Sequence, residues 1–319
     1  MGERAVIALL SGGVGGSRLA AGLYDLLGER LVVIVNTADD EVIYGLYVSP
    51  DVDTVLYTLS GIGDWERGWG IRGDTFSCNE TIGRLGFENW FRIGDMDLAV
   101  NLLRTMMLSE GRSLSHVTEE LARRMGLKCK VLPMTDHRVV TQVVTPEGPM
   151  SFQEYFVKRE AKPEVLEIRR VRSPHERPAP GVIESLNSAR AILFAPSNPI
   201  LSVRPILETN GVEEAIRGSR AVNVAISPLV GGRALRGPAD RLLRSFGYQS
   251  GVIGVAQFYD GLIDGLVIDR ADADHEQVIR SKFGIEVLVT ETVMTSRGAA
   301  KRLASEVLDF AARLGRVRD

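Results

Sequence analysis

Residues 5–22 read AVIALLSGGVGGSRLAAG. The apolar run 5–10 has the length of a buried strand, the glycines at 12, 13, 15 and 16 make a turn, and a helix opens near Ser17. Glycine has no Cβ and tolerates positive φ, so such a turn lets the backbone approach a ligand closely. Unpaired amides at the helix N-terminus then favour an anion, most often phosphate. A strand-to-helix turn without a ligand has the same local pattern, so the rest of the chain must decide between the two.

The glycines are not followed by Lys-Ser/Thr, so no lysine is placed to clamp a terminal phosphate. They also fit G-x-G-x-x-G poorly. About 20 residues on, where a dinucleotide fold places an acid for the ribose, the chain has Asn36-Thr37-Ala38-Asp39-Asp40. The pattern supports a phosphate turn in a Rossmann-like setting and does not support an NAD site.

At 319 residues the chain suffices for one large α/β domain or a domain with an added lobe. A net charge of −3 and a pI of 5.9 provide no basic field for nucleic acid or an anionic membrane. A polyphosphate ligand must therefore be held by local amides, arginines or a metal. Cys78 and Cys129 form no C-x-x-C pair, which gives neither a disulfide framework nor a zinc signature. No apolar run approaches the ~18 residues that span a bilayer. The first apolar run ends in the glycine turn rather than at a signal cleavage site. A soluble, cytoplasmic protein is expected.

Outward from the glycine turn, residues 31–35 (LVVIV) look like a parallel strand buried on both faces. Asn36 to Asp40 follow its carboxyl end, where open α/β sheets bind ligands. Ser49-Pro50-Asp51-Val52-Asp53-Thr54 then begins a helix. Asp39, Asp40, Asp51 and Asp53 thus bring four carboxylates together within about 15 residues. Asp51 is the best helix-cap candidate among them. Four caps in one place is a weaker reading than a Mg²⁺ site, which takes one or two carboxylates and completes its shell with phosphate and water oxygens.

Residues 61–77 (GIGDWERGWGIRGDTFS) have neither helical nor strand period and read as a lid or pocket wall. Helices are expected over 98–108 and 115–125, and a strand over 128–132. Residues 139–145 and 150–156 alternate around Pro146-Glu147-Gly148-Pro149 as a hairpin, followed by a charged excursion over 158–180. Strands at 191–194 and 221–226 carry Ala195-Pro196-Ser197-Asn198-Pro199 and Ser227-Pro228-Leu229-Val230-Gly231-Gly232 at their tips. Later strands are read at 252–256, 266–268 and 286–289, and a core-packing helix from Ser296. His137 and His175 lack an orienting partner and read as surface residues. The expected fold is α/β, Rossmann-like, a mainly parallel sheet flanked by helices, with a smaller inserted α+β lobe. Residues 1–136 and 181–319 make the nucleotide-binding core with its lid, and residues 137–180 the inserted hairpin and excursion.

Several motifs now stand together: Ser11-Gly12-Gly13-Val14-Gly15-Gly16, Asn36 to Asp40, Ser49 to Thr54, Trp69-Gly70 with Gly73-Asp74-Thr75-Phe76, Gly94-Asp95-Met96-Asp97, and Pro196-Ser197-Asn198-Pro199. In combination they resemble the 2-phospho-L-lactate transferase (CofD) family of coenzyme F-420 biosynthesis, over nearly the whole chain. The resemblance implies a Mg²⁺-dependent enzyme acting on a GDP-activated phospho-acid donor. It would transfer a phospholactyl-type group, or the phosphoenolpyruvate or phosphoglycerate equivalent, to the deazaflavin Fo and release GMP. It further implies a homodimer; no nucleic-acid or membrane partner is expected. Carried over by position, Asp53 and Arg92 contact Fo, and Asp39 and Asp53 are the catalytic and metal-liganding acids. Gly12, Gly13, Gly15 and Gly16, with Ser197, Asn198 and Pro199, hold the guanine nucleotide. Trp69 in the lid suits a planar acceptor.

Hydroxyl attack on a diphosphate requires charge neutralisation by a metal and backbone amides, which agrees with these residues. One segment departs from the family's Gly-Asp-Arg-Asp-x-Ala-Thr-His. Met96, Val100 and Asn101 stand where arginine, threonine and histidine are usual, so a positive charge and a proton carrier are absent. The alternative function is a non-catalytic nucleotide-sugar-binding regulator of the gluconeogenesis-factor type. Trp69-Gly70 and Gly94-Asp95, which match acceptor-side segments, favour the transferase.

Overall fold

The computed structural model describes residues 6–318; Ala5, the first residue of the expected strand, lies outside them. Seven strands form the central sheet: β1 (Val6–Ser11), β2 (Leu31–Val35), β3 (Lys130–Pro133), β4 (Ala189–Phe194), β5 (Val222–Ile226), β6 (Gly265–Asp269) and β7 (Glu286–Thr290). Their spatial order is β7-β6-β5-β4-β1-β2-β3, and every pairing is parallel. This is the α/β sheet that the apolar runs predict.

Alternation along the strands explains why they read as unbroken apolar runs. Ala8 and Leu10 of β1 join a core with Ile192, Ile206 and Val255, while Ile7 and Leu9 face a second core with Leu23, Val55 and Val307. Strands covered on both faces by helices have no polar side to show. The covering helices include α1 (Gly13–Leu27), α2 (Pro50–Ser60), α5 (Leu114–Arg124) and the last helix, Arg297–Arg318, on one face, and Val182–Ser188 and Val252–Phe258 on the other, whereas α3 (Ser77–Arg84), away from both cores, packs on α4 (Asp95–Ser109).

The strand order places the ligand crevice. β1 is followed in sequence by β2 on one side, whereas its other neighbour is β4, reached much later in the chain. Loops leaving β1 and β4 therefore part in opposite directions, and open parallel sheets bind ligands at such a switch point. A three-stranded antiparallel sheet of Val139–Thr145, Gly148–Ser151 and Glu167–Arg172 lies beside it, with Val139–Thr145 in the middle. It is fastened to the loop after β2: the Thr141 amide donates to the Ala38 carbonyl at 2.8 Å, and Gln153 Nε2 to the Asp39 carbonyl at 2.9 Å.

Four local expectations change. The first helix begins at Gly13, not near Ser17, because the glycines form its first turn. Residues 252–256 are not a strand but part of the helix Val252–Phe258. Its short, wholly buried apolar run has no period that separates the two. The second arm of the hairpin ends at Ser151, and Glu154–Lys158 coil into a π-helical turn. The excursion contains the strand Glu167–Arg172.

Close helix packing holds α1 against the last helix. A Cβ built on Gly22 would lie 2.2 Å from the Ala300 carbonyl oxygen and 2.8 Å from the Lys301 nitrogen, both backbone atoms that cannot turn aside. Gly22→Val is expected to lower stability by about 1–3 kcal/mol through overpacking. A thermal melt checks this, and a wild-type melting temperature would contradict the packing.

Candidate active site

A cleft of about 270 Å³ opens at the carboxyl ends of the strands on both sides of the switch point. The start of α1 forms one wall, with Gly12, Gly13, Val14 and Gly15; the loop after β4 forms another, with Pro196, Ser197 and Asn198. Ser227 and Pro228 follow β5, and Thr292 to Met294 follow β7. The stacked rings of Phe152 and Phe156, 5.4 Å apart, supply an apolar side.

The glycines are shaped by chain-to-chain approach. Gly13 has φ of +63°, and a Cβ on Gly15 would lie 2.3 Å from the Pro196 carbonyl oxygen. The Gly12 amide donates to Ser197 Oγ at 3.1 Å, and the Gly13 amide to Asp51 Oδ1 at 2.8 Å. Amides of the first helical turn have no partner four residues back. Those of Val14 and Gly15 thus remain as donors at the cleft wall.

Two acids face this helix terminus. Asn36 Nδ2 donates to Asp39 Oδ2 and to Asp51 Oδ2, both at 3.0 Å, and so bridges the two carboxylates. Burial raises Asp51 to about 6 against the pull of Asn36 and the Gly13 amide. Burial and then the Asp51 charge hold Asp39 well above the ordinary aspartate value. Asp39 Oδ1 is buried with no hydrogen bond of ordinary length, and the nearby Thr141 hydroxyl and Arg170 charge only partly pull the carboxyl back. Two crowded carboxylates with an open oxygen are a donor set that a hard divalent cation fits. Among the described residues no cluster of three or more acidic, histidine or cysteine side chains is arranged to hold a metal.

Asp53 lies elsewhere. Residues two apart on a helix do not share a face, so Asp51 turns to the glycines while Asp53 meets Arg104 of α4. Arg104 is fully buried; Nη2 contacts Asp53 Oδ1, and Nη1 lies 3.0 Å from Asp53 Oδ2 and 2.7 Å from Asn101 Oδ1. Burial pushes the Asp53 carboxyl up and Arg104 pulls it back. Asn101 Nδ2 continues the chain to Asp97 Oδ1 at 3.0 Å, which also accepts from the Tyr57 hydroxyl at 2.7 Å. Asp97, Asn101 and Arg104 recur at four and three residues on one face of α4, a spacing visible in the sequence. Nearby, buried Asp40 accepts from Ser49 Oγ at 2.8 Å and the Tyr47 hydroxyl at 3.0 Å.

The segments 74–78 and 95–97 cap each other. Asp95 accepts from the Ser77 and Cys78 amides, both at 3.0 Å, at the start of α3. Asp74 accepts from the Met96 amide at 2.8 Å and the Asp97 amide at 3.0 Å at the start of α4. Phe76 lies between Trp69, 6.3 Å away in an edge arrangement, and the Arg92 guanidinium, 4.3 Å from its ring centre. Trp69 and Arg92 therefore meet through Phe76. Neither lines the cleft of the glycine turn, and neither does Asp53, Gly16 or Pro199. Gly16 packs against Ser11 and Ser197, and Pro199 is buried at the start of a π-helical turn. His137 and His175 lie outside the cleft. Asp51 and Arg104 were not among the residues that motif matching assigned a role.

The family model described as 2-phospho-L-lactate transferase CofD matches residues 7–305. The chain belongs to the CofD family of transferases. It is 39% identical over 310 residues to the 2-phospho-L-lactate transferase of Methanocaldococcus jannaschii, covering 96% of this chain and 98% of that protein. Similarity to the phosphoenolpyruvate transferase of Streptomyces griseus is equal in extent: 40% over 312 residues, with the same two coverages. Among solved structures, a UPF0052-family protein from Bacillus halodurans superposes with a TM-score of 0.66 at 19% identity, over 96% of this chain and 99% of that one. This last likeness establishes the fold alone.

In this CofD-family chain, burial and then the Asp53 charge raise Asp97 to about 7. An unfolded aspartate loses its proton near 4. Asp97 therefore contributes full stability below about pH 4, and loses it as pH rises through about 7. Melting temperature is expected to rise as pH falls from 8 to 5.5. Asp97→Asn, which keeps an acceptor for Tyr57 and Asn101, should flatten that rise. An unchanged slope would contradict the shift.

Proposed function

We propose that the chain transfers a phospholactyl-type group, 2-phospholactate or its phosphoenolpyruvate or phosphoglycerate equivalent, from a GDP-activated donor to the deazaflavin Fo and releases GMP. The observation that carries the reading is the Asp39–Asn36–Asp51 arrangement. It sets a two-carboxylate pair beside the helix terminus of the glycine turn in one cleft. Membership of a transferase family supports it. The names of the relatives do not choose the acid, since phospholactate and phosphoenolpyruvate transferases match about equally.

In this reading the amides of Val14 and Gly15 receive a phosphate, and Ser197 and Asn198 shape the nucleotide side, with buried Pro199 behind them. Asp39 and Asp51 hold Mg²⁺, which when bound supplies charge neutralisation for the transferring and leaving phosphates. Asp53, which the resemblance makes a metal ligand as well, has both oxygens turned to Arg104 and is left the acceptor role. Arg92 and Trp69, joined through Phe76, form a wall on the acceptor side. The acceptor hydroxyl oxygen bonds to the phosphorus on the acid side, the bond from that phosphorus to the GMP oxygen breaks, and the hydroxyl proton passes to a carboxylate.

Incubation with Fo, Mg²⁺ and each GDP-activated acid, with products identified by mass, tests the reading. One donor is expected to yield the phosphodiester and GMP; no GMP with any donor contradicts it. Asp51→Asn should weaken Mg²⁺ activation by at least the roughly 10–100-fold that loss of an outer-shell partner costs. A wild-type Mg²⁺ requirement in that variant would remove Asp51 from the metal site.

A further inference from the structure

Two arginines on the cleft wall, Arg18 of α1 and Arg236, have no acid of the described residues within ion-pair distance, although arginines elsewhere in the molecule repeatedly do. They are close enough for each charge to act on the other: burial, and then the Arg236 charge, hold Arg18 below the usual arginine value. Their hydrogen bonds run to backbone carbonyls, three in the tryptophan loop and one after β7. Arg18 Nη2 donates to the Trp65 carbonyl and Nη1 to the Met294 carbonyl at 3.0 Å. Arg236 Nη1 donates to the Arg67 carbonyl and Nη2 to the Glu66 carbonyl at 2.9 Å. The Arg18 guanidinium lies 5.2 Å from the centre of the Trp65 ring.

Each guanidinium carries five N–H donors, so two carbonyl bonds leave three. Arg18 Nε is buried and makes no hydrogen bond. Two adjacent cations repel each other, and a ligand carrying negative charge relieves that repulsion. The planar fork of arginine matches phosphate oxygens in pairs. The carbonyl bonds fix both forks in advance, so little side-chain freedom remains to be lost on binding.

We propose that Arg18 and Arg236 form a paired-guanidinium clamp for the diphosphate of the donor and join the tryptophan loop to it. The proposal deepens the transferase reading and rests on it for the identity of the donor, but not for the binding of a diphosphate. Because the same two side chains hold residues 65–67, donor occupancy is felt by the loop that carries Trp65 and Trp69. A Cβ on Gly68 would lie 2.6 Å from Arg236 Nη1 and 2.7 Å from Val14 Cγ1, so this loop packs directly on the start of α1. Donor-side and acceptor-side elements are thereby linked through two cations.

Calorimetric titration of the full chain with inorganic pyrophosphate and with GDP tests the clamp, with tryptophan emission followed in parallel. Arg236 is exposed, so Arg236→Gln leaves the core untouched. It is expected to weaken both ligands roughly 10- to 100-fold, the range for losing hydrogen bonds to a charged group. Arg236→Lys should recover part of the loss, and guanosine, which lacks phosphate, should bind all variants alike. Pyrophosphate should change tryptophan emission in the wild type and fail to do so in Arg236→Gln. Wild-type affinity for pyrophosphate in both Arg236→Gln and Arg18→Lys overturns the clamp, as does a wild type that binds neither ligand. Arginine-dependent pyrophosphate binding without product from any GDP-activated acid upholds the clamp and rejects the transferase reading.

Discussion

Ser197 and Gly12 exchange two hydrogen bonds: the Gly12 amide donates to Ser197 Oγ, and the same hydroxyl donates to the Gly12 carbonyl at 2.7 Å. One side chain thus ties the end of β1 to the end of β4 across the switch point. The contact demands that neighbouring positions carry no Cβ. At Gly16 it would lie 2.4 Å from Ser11 Oγ and 2.8 Å from Ser197 Oγ, and at Gly12 2.7 Å from Asp51 Oδ2. The glycine turn is therefore a joint between chain segments as well as a phosphate approach. With the joint closed, the unpaired amides of α1, the Asp39–Asp51 pair and the loop after β4 share one cleft.

Charge is divided between two buried systems that differ in kind. Around Asp39 and Asp51 acids predominate, with a neutral amide as bridge, and the site gains most from a cation. Around Asp53 the cation is already present as Arg104, whose guanidinium is shared with Asn101 and through it with Asp97. A buried pair of this kind is costly to break, by about 3–5 kcal/mol, because the remaining charge has no partner. The first system is suited to a cation; the second fixes α2 against α4 and holds in place the Asp53 carboxylate that the proposed reading assigns to the acceptor. Asp51 and Asp53, two residues apart on one helix, connect them.

The sheet was legible because strands buried on both faces leave continuous β-branched runs, as at residues 31–35, and because loops at their carboxyl ends are where such sheets place ligands. The limits have physical causes. Glycine is a poor helix former, so Gly13 to Gly16 read as a turn, yet packing on Pro196 and Ser197 makes them the first turn of α1. Motif matching selected Asp53, while helix phase decides which acid reaches the glycines. Asn101 hid the network it joins, because an amide in place of the family's histidine reads as a loss; here it bridges Arg104 and Asp97. The strand Glu167–Arg172 was masked by its charges, since Arg170 and Arg172 face inward to meet Glu208, at 2.8 Å each, and not an apolar core.

The central claim is direct transfer from the donor's phosphorus to the acceptor hydroxyl. It is tested most directly by running the reaction in ¹⁸O-labelled water and weighing both products. Direct attack by the acceptor predicts a phosphodiester and GMP that both carry unlabelled oxygen, formed in equal amounts. Labelled GMP, or nucleotide release without acceptor product, would show that water is the nucleophile and contradict the account.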